Sequence, residues 1–361
     1  MSAAGSGPVS LADHQALARS RLDANALAYF EGGAADELTV AANRTAWDGM
    51  ALYPRVLRSL AGGHTGTTLL GRALAHPILL APVAYQRLAH PDGEIASACA
   101  AAAQGAGMVV STQASISLET IAGAIADDAD RGPLWFQLYL QHDRGFNREL
   151  VARAEAAGYE ALVLTVDAPC SGARDRERRT GFALPPDISA VNLAGLPPRP
   201  PGGRTGLCAG LVNQAADWDD LTWLQRESRL PIILKGVLHP ADARIALDAG
   251  ASGLIVSNHG GRVLDTAVAT ARALPAITDA VGDSLAVLVD GGIRRGTDIL
   301  KAIALGADAV LIGRPVIHGL ANAGAAGVAH IIRLLRDELE IAMALCGCAR
   351  IADISSDLLA P

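Results

Sequence analysis

AVLVDGGIRRGTDILKAIALGADAVLIGR, residues 286–314, holds two short apolar runs separated by a helix-compatible segment. Ala286–Gly292 (AVLVDGG) and Ala309–Arg314 (AVLIGR) are nearly continuous in Val, Ile and Leu rather than alternating. That pattern suits parallel strands buried on both faces. Between them Thr297–Ala304 suits a helix, and Gly306 stands where that helix should stop. The stretch therefore reads as a strand, a helix and a second strand.

The same pattern recurs upstream. Six further runs are Pro77–Pro82 (PILLAP), Gly107–Thr112 (GMVVST), Leu134–Leu140 (LWFQLYL), Ala161–Asp167 (ALVLTVD), Pro231–Val237 (PIILKGV) and Gly253–Asn258 (GLIVSN). Helix-compatible segments lie between them, among them Asp92–Gln104, Arg144–Ala157 and Pro240–Ala249, with Gly105, Gly158 and Gly250 at their ends. Eight βα units within residues 77–322 match the roughly 250 residues of a (β/α)₈ barrel. An open doubly wound sheet would need a dinucleotide fingerprint after its first strand, and none is present. The expected architecture is α/β, a TIM barrel in one domain over 1–361, preceded by a polar helical extension. One stretch breaks the rhythm after the fourth run. Residues 175–216 combine the tail of a charged run, RDRERR (174–179), with LPPRPPGG (196–203). This long loop is expected to be either a flexible lid over the barrel mouth or an insertion without function.

Composition narrows the function. Lys plus Arg number 30 and Asp plus Glu 37, a net charge of −7, which argues against general nucleic-acid binding. The five cysteines, Cys99, Cys170, Cys208, Cys346 and Cys348, are odd in number and scattered, and indicate neither a zinc site nor a disulfide framework. With no signal-peptide pattern, no targeting tripeptide and no apolar run of about 18 residues, a cytoplasmic protein away from the membrane is expected.

Polar residues cluster at the ends of the apolar runs, where a barrel places its chemistry. They include Ser111, Gln137, Tyr139, Thr165, Asp167, Lys235, Ser257, His259, Arg262, Asp290, Arg294 and Arg314. Charges at the ends of buried strands need a partner or a ligand, because desolvating them alone is costly. The glycine-rich turns after the seventh and eighth runs, with Arg294 and Arg314, suit a phosphate group.

The run SNHGGR (257–262) is the most specific motif. It resembles the signature of the FMN-dependent 2-hydroxy acid oxidases and dehydrogenases, a family that includes glycolate oxidase, lactate oxidase and mandelate dehydrogenase. YFEGGAADE (29–37), NRTAWD (43–48), APVAYQRLAHPDGE (81–94), FQLY (136–139), LTVDAP (164–169), LKGV (234–237), DGGIRRGTDILKAIALGA (290–307) and IGRP (312–315) extend the match in order and spacing. The resemblance implies that flavin mononucleotide (FMN) lies across the barrel mouth. Pro82, Val83, Ala84, Ser111, Gln137 and Thr165 would meet the isoalloxazine ring, and Lys235 its N1 side, where negative charge gathers on reduction. Ser257, Asp290, Gly291, Gly292, Arg294, Gly313 and Arg314 would hold the ribityl chain and phosphate. On the substrate side the resemblance assigns Arg174, Arg262 and Tyr29 to the carboxylate and Tyr139 to the oxygen at the reacting carbon. His259 is the implied base and Asp167 its partner. His259 takes either the α-proton or the hydroxyl proton, and both routes stay open.

Departures bear on the substrate. Val83 and Gln113 stand where glycolate oxidases commonly carry threonine and tryptophan, and APVAYQRL (81–88) looks like the bacterial 4-hydroxymandelate oxidases. Small Ala84 leaves room for a side chain larger than hydrogen, which favours a larger or aromatic 2-hydroxy acid. With no apolar docking segment evident in 175–216, O₂ is the expected electron acceptor over another acceptor. The resemblance also implies a homo-oligomer, a tetramer in many members. An FMN-dependent isomerase on the same barrel is the rival of another class.

Overall fold

A computed structural model describes residues 7–198 and 215–360. Three helices open the described chain, α1 (Leu11–Arg21), α2 (Ala24–Glu31) and α3 (Leu38–Asp48), followed by an antiparallel pair, β1 (Thr67–Leu69) and β2 (Arg72–Leu74). The alternating region then runs β3 (Ile78–Leu80), α4 (Gly93–Ala103), β4 (Gly107–Ser111), α5 (Leu118–Gly123), β5 (Leu134–Leu138), α6 (Arg144–Ala156) and β6 (Ala161–Thr165). It continues through α7 (Asp175–Thr180), α8 (Trp218–Glu227), β7 (Ile232–Val237), α9 (Pro240–Asp248), β8 (Gly253–Val256), α10 (Thr270–Val281), β9 (Ala286–Val289), α11 (Gly296–Ala304), β10 (Ala309–Ile312) and α12 (Arg314–Leu345). Strands β3 to β10 pair in parallel and in sequence order, and β10 closes on β3. The eight apolar runs are thus the eight staves of a closed (β/α)₈ barrel.

Both faces of each stave are apolar, which explains the absence of visible alternation. Leu79, Val109, Trp135, Val163, Ile233, Ile255, Leu288 and Leu311 form the barrel interior. Their chain neighbours, including Leu80, Val110, Phe136, Leu162, Leu234, Val256, Val289 and Ile312, pack outward under the helices. Successive residues of a strand point to opposite faces. Two residues beyond the interior layer, the same parity brings Ser111, Gln137, Thr165, Lys235, Ser257, Asp290 and Gly313 to the inner side at the C-terminal ends. On β4 to β9 the interior changes from hydrocarbon to polar within one step of the strand.

Glycine sets the return from helix to strand. Gly105, Gly158, Gly250 and Gly306 have φ of 67°, 84°, 78° and 93°. At each the chain makes the same pair of backbone bonds, such as Gly306 N–H to the Ile303 carbonyl (2.8 Å) and Ala307 N–H to the Ala302 carbonyl (3.0 Å). This left-handed cap satisfies helix-end carbonyls that would otherwise be orphaned. Gly347 ends α12 in the same way, with bonds to Ala344 and Met343.

Three expectations are corrected. The hairpin β1–β2 was not anticipated, its strands being only three residues each; Leu69 and Leu74 join the interior cluster, so it plugs the barrel. The eighth unit does not end at 322. Its helix runs to Leu345 through a break at Ala323 and Gly324, where the backbone leaves the helical region. By length and composition α12 could cross a membrane, yet 67% of that window is buried, as suits a core helix packed on α1, α4 and α11. The segment 175–216 is not a uniform loop. Asp175–Thr180 is helical, Gly181 caps it at φ 64°, and Val191–Leu193 forms a 3₁₀ turn. Asn192 Oδ1 accepts from Leu118 N–H (2.9 Å), and the Val191 N–H reaches the Ala114 carbonyl (3.2 Å). Most of LPPRPPGG lies outside the described residues, so the lid reading of that part is not addressed.

Candidate active site

A cavity of about 570 Å³ opens at the C-terminal ends of the staves. Its wall contains Tyr29, Pro82, Val83, Ala84, Ser111, Gln137, Tyr139, Thr165, Arg174, Lys235, His259, Arg262, Asp290, Gly291, Gly292, Arg294, Gly313 and Arg314. Every candidate residue is therefore brought to one place except Asp167 and Ser257, which stand behind the wall. Asp167 supports His259 from there. Ser257, expected to hold the ribityl chain, is fully buried; its Oγ accepts from Lys235 Nζ (2.7 Å) and from His259 N–H (3.0 Å). Its contacts position two other site residues.

His259 sits between two polar groups. Its Nδ1 lies 3.0 Å from Asp167 Oδ1 and its Nε2 3.3 Å from the Tyr139 hydroxyl. Burial pushes the imidazole pKa below its ordinary value, against the opposing pull of Asp167. Burial raises the Asp167 carboxyl, but His259 and Lys235 outweigh it, and the net position is below the usual carboxylate range. The pair thus stands with a carboxylate beside an imidazole that is free to accept a proton. Gly236 makes the approach possible. At φ 114°, a Cβ there would meet Asp167 Cβ at 2.4 Å. The strand pairing shifts register at this point, between Lys235 and Val237.

His259 itself has φ 57°, followed by Gly260 at 62° and Gly261 at 76°. Three consecutive left-handed residues turn the chain sharply out of β8. The turn is pinned from outside: Asn43 and Asn258 exchange side-chain amide bonds of 2.9 and 2.8 Å. Asn43 Oδ1 also accepts from Thr270 N–H (3.2 Å), and Thr270 Oγ1 donates to the Asp290 carbonyl (2.6 Å). Helix α3 therefore ties the His259 turn to the Asp290 turn. Sequence reading missed these roles, although Asn43 lies in the quoted run NRTAWD.

At the cavity floor Lys235 Nζ meets Asp290 Oδ2 at 2.9 Å. Burial lowers the ammonium's pKa, but Asp290 and Asp167 raise it further, so it stays charged. Gln137 spans Ser111 (3.2 Å) and Thr165 (3.0 Å). At the far end Arg294 and Arg314 are half-buried and form no ion pair among the described residues. Burial first, then Arg262 and Arg294, push the Arg314 guanidinium down to about 9. Two partly desolvated cations that meet only backbone carbonyls among the described residues suit an anion. Asp290 Oδ1 is also buried without a hydrogen-bond partner. Cavity size, the glycine turns and the unpaired arginines fit a flavin with its phosphate at Arg294 and Arg314 and its ring toward Lys235 and Gln137.

Near His259, Arg174 and Arg262 define a second anion subsite. Arg174 Nη1 is buried without a partner, and burial, then Arg262, lowers its pKa to about 10. Arg262 stands 5.1 Å from the Tyr29 ring centroid, and that ring stacks on Phe182 at 4.9 Å. The site thus offers a base, a fork of arginines for a carboxylate, and a long cavity with a cationic end.

The model of the FMN-dependent dehydrogenase family matches residues 18–361. The chain is 51% identical over 354 residues to the L-lactate oxidase of Alicycliphilus denitrificans, covering 97% of this chain and 95% of that protein. It is 44% identical over 348 residues to glycolate oxidase 1 of Zea mays, covering 95% and 93%. A crystal structure of mandelate oxidase with (S)-2-phenylpropionate superposes with a TM-score of 0.88 at 43% identity over 98% of each chain. With the barrel, the His259–Asp167 pair and the cationic cavity in place, the chain belongs to the FMN-dependent dehydrogenase family.

Proposed function

We propose that this FMN-dependent oxidoreductase oxidises an L-2-hydroxy monocarboxylate to the 2-oxo acid, with His259 as base and O₂ as final acceptor. The observation that carries the reading is the placement of His259 Nε2 on the cavity wall, backed by Asp167 at 3.0 Å and shared with the two arginines. Arg174 and Arg262 hold the carboxylate, because a planar guanidinium offers two parallel donors to it. Tyr139, 3.3 Å from His259 Nε2, donates to the substrate oxygen beside the base. Removal of two electrons and two protons converts the alcohol to the ketone. His259 takes one proton at Nε2, from carbon or from the hydroxyl, and Asp167 then faces an imidazolium, its favoured partner. FMN, when bound, would take up the two electrons with the second proton and pass them to O₂, which with the proton held on His259 gives H₂O₂. Lys235 places a fixed positive charge where the ring gathers negative charge. An isomerase has no use for a base set between two carboxylate-binding arginines.

The substrate carries a side chain larger than hydrogen. Ala84 and Gln113 line the cavity, and a bulkier residue at either position would take up part of its volume. The identity to L-lactate oxidases supports a methyl side chain. A second reading, an aromatic acid such as mandelate, is supported by Tyr29 and Tyr85, whose ring centroids lie 5.8 Å apart. The experiment is an anaerobic spectrum of the yellow protein with L-lactate, S-mandelate and glycolate in turn. Bleaching by lactate or mandelate well ahead of glycolate is expected; glycolate far ahead overturns the substrate reading, and no bleaching by any acid overturns the reaction. We also propose a homo-oligomer. Its support is an exposed apolar segment containing Tyr53, Val56, Leu57 and Leu60.

A further inference from the structure

We propose that Glu177 is a charge filter for the substrate subsite, admitting 2-hydroxy monocarboxylates and refusing 2-hydroxy dicarboxylates. The proposal rests on the oxidase reading above. Glu177 lines the same cavity as Arg174 and Arg262, and its Oε1 lies 3.8 Å from Arg262 Nη2. That oxygen is buried and has no hydrogen-bond partner among the described residues, and the same holds for Arg174 Nη1. The other nitrogen of the Arg262 fork is committed to the carbonyls of Tyr29 (2.6 Å) and Gly32 (2.9 Å). Glu177 therefore makes only a long ion pair with Arg262, without a hydrogen bond. It adds a negative charge to the pocket that receives a negative substrate.

The carboxylate is held there. Glu177 follows Arg174 by one turn, on α7. That helix is anchored to the N-terminal extension by the Arg176–Glu37 ion pair and by the Ala35 N–H bond to the Ala173 carbonyl (2.7 Å). The Glu177 backbone carbonyl also accepts from Phe182 N–H at 2.8 Å, beside the ring that stacks on Tyr29. Among the described residues on this side of the cavity, with His259 neutral and Lys235 paired to Asp290, Arg174, Arg262 and Glu177 sum to a net charge of +1. One substrate carboxylate brings this to zero. A second one leaves an excess negative charge in a desolvated pocket next to Glu177, with Asp167 behind the base, and Coulomb repulsion is weakly screened there.

The test compares kcat/KM, from anaerobic flavin reduction, for the best monocarboxylate and for 2-hydroxysuccinate in wild type, Glu177→Gln and Glu177→Asp. Neutralising Glu177 should raise the dicarboxylate-to-monocarboxylate ratio by about tenfold or more, the scale of one charge pair at partial burial. Glu177→Asp, which keeps the charge, should keep the discrimination. An equal change for both substrates, or none, overturns the proposal and leaves Glu177 as a structural partner of Arg262. A second measurement needs no variant. Perturbation of the bound flavin spectrum of wild type by propionate and by succinate should give a succinate Kd about tenfold or more weaker; equal values overturn the filter. If no 2-hydroxy acid reduces the flavin, the oxidase reading fails, while the inhibitor comparison still reports the charge of the subsite.

Discussion

His259 holds a left-handed backbone, φ 57°, that a residue with a Cβ adopts at a cost of about 1–2 kcal/mol. The Ser257 Oγ bond to its N–H and the Asn258–Asn43 lock keep it there, so the imidazole is aimed by its neighbours and not by its own preference. Replacing it tests the chemistry alone. His259→Ala should slow flavin reduction by roughly 10²- to 10⁴-fold or more, the range of lost general-base catalysis, with FMN still bound. Rapid anaerobic bleaching of the variant by substrate overturns the role. The pH dependence follows from the same contacts. The neutral imidazole is the active form, and burial lowers its pKa, so the acid limb of kcat/KM should lie below the ordinary histidine value of about 6.5. Asp167 opposes that shift. In Asp167→Asn the opposition is gone, and the limb should move further toward acid while the rate falls, because the imidazolium formed in the reaction loses its counter-charge. A limb that moves toward neutral pH overturns this assignment.

At the scale of elements, α3 is a buttress for two catalytic turns. Trp47 Nε1 donates to the Gly291 carbonyl (2.8 Å), and Arg44 reaches the Gly292 carbonyl (2.5 Å) and Asp298 (2.6 Å). The approach is so close that Gly292, at φ 85°, has no room for a Cβ, which would meet the Asn43 carbonyl oxygen at 2.6 Å and Trp47 Cδ1 at 2.9 Å. Gly292→Ala should therefore destabilise the fold by more than the φ penalty of about 1–2 kcal/mol, read as a lowered Tm, and weaken FMN binding severalfold. Gly158→Ala is the control: φ is 84° but nothing lies within 4 Å of the added carbon. It should lower Tm alone. Equal FMN affinity in both variants would remove the buttress from the cofactor site. None of these contacts could be read from spacing, because Asn43 and Asn258 are 215 residues apart. The barrel strands were legible for the opposite reason. A stave apolar on both faces is a local signal, and so is the glycine that ends the preceding helix. The α7 helix was not, since RDRERR carries no apolar face and takes its stability from ion pairs such as Arg176 with Glu37.

For the whole molecule, the site was legible because one barrel face collects every strand end. Knowing the strands places Gln137, Thr165, Lys235 and Asp290 together by parity alone. Ser257 has the same parity, and its Oγ, which accepts from Lys235 and His259, keeps its own hydrogen to donate. The surface was less legible, because exposure depends on packing between distant segments. Residues 53–60 lie along the end of α12, where the Arg55 N–H bonds to the Cys346 carbonyl (3.3 Å). There Val56 is 78% exposed, Leu57 102% and neighbouring Leu345 69%. Exposed apolar surface of this kind marks an interface more often than bare solvent contact. The proposed homo-oligomer should use it. Light scattering at micromolar concentration should give a multiple of the 37.0 kDa chain mass. The double variant Val56→Asp, Leu57→Asp, which would bury two charges per copy, should shift that mass toward the monomer. Neither residue lines the cavity, so flavin reduction should keep its wild-type rate constant. A monomeric wild type removes the oligomer; an unshifted variant moves the interface to another face of the barrel.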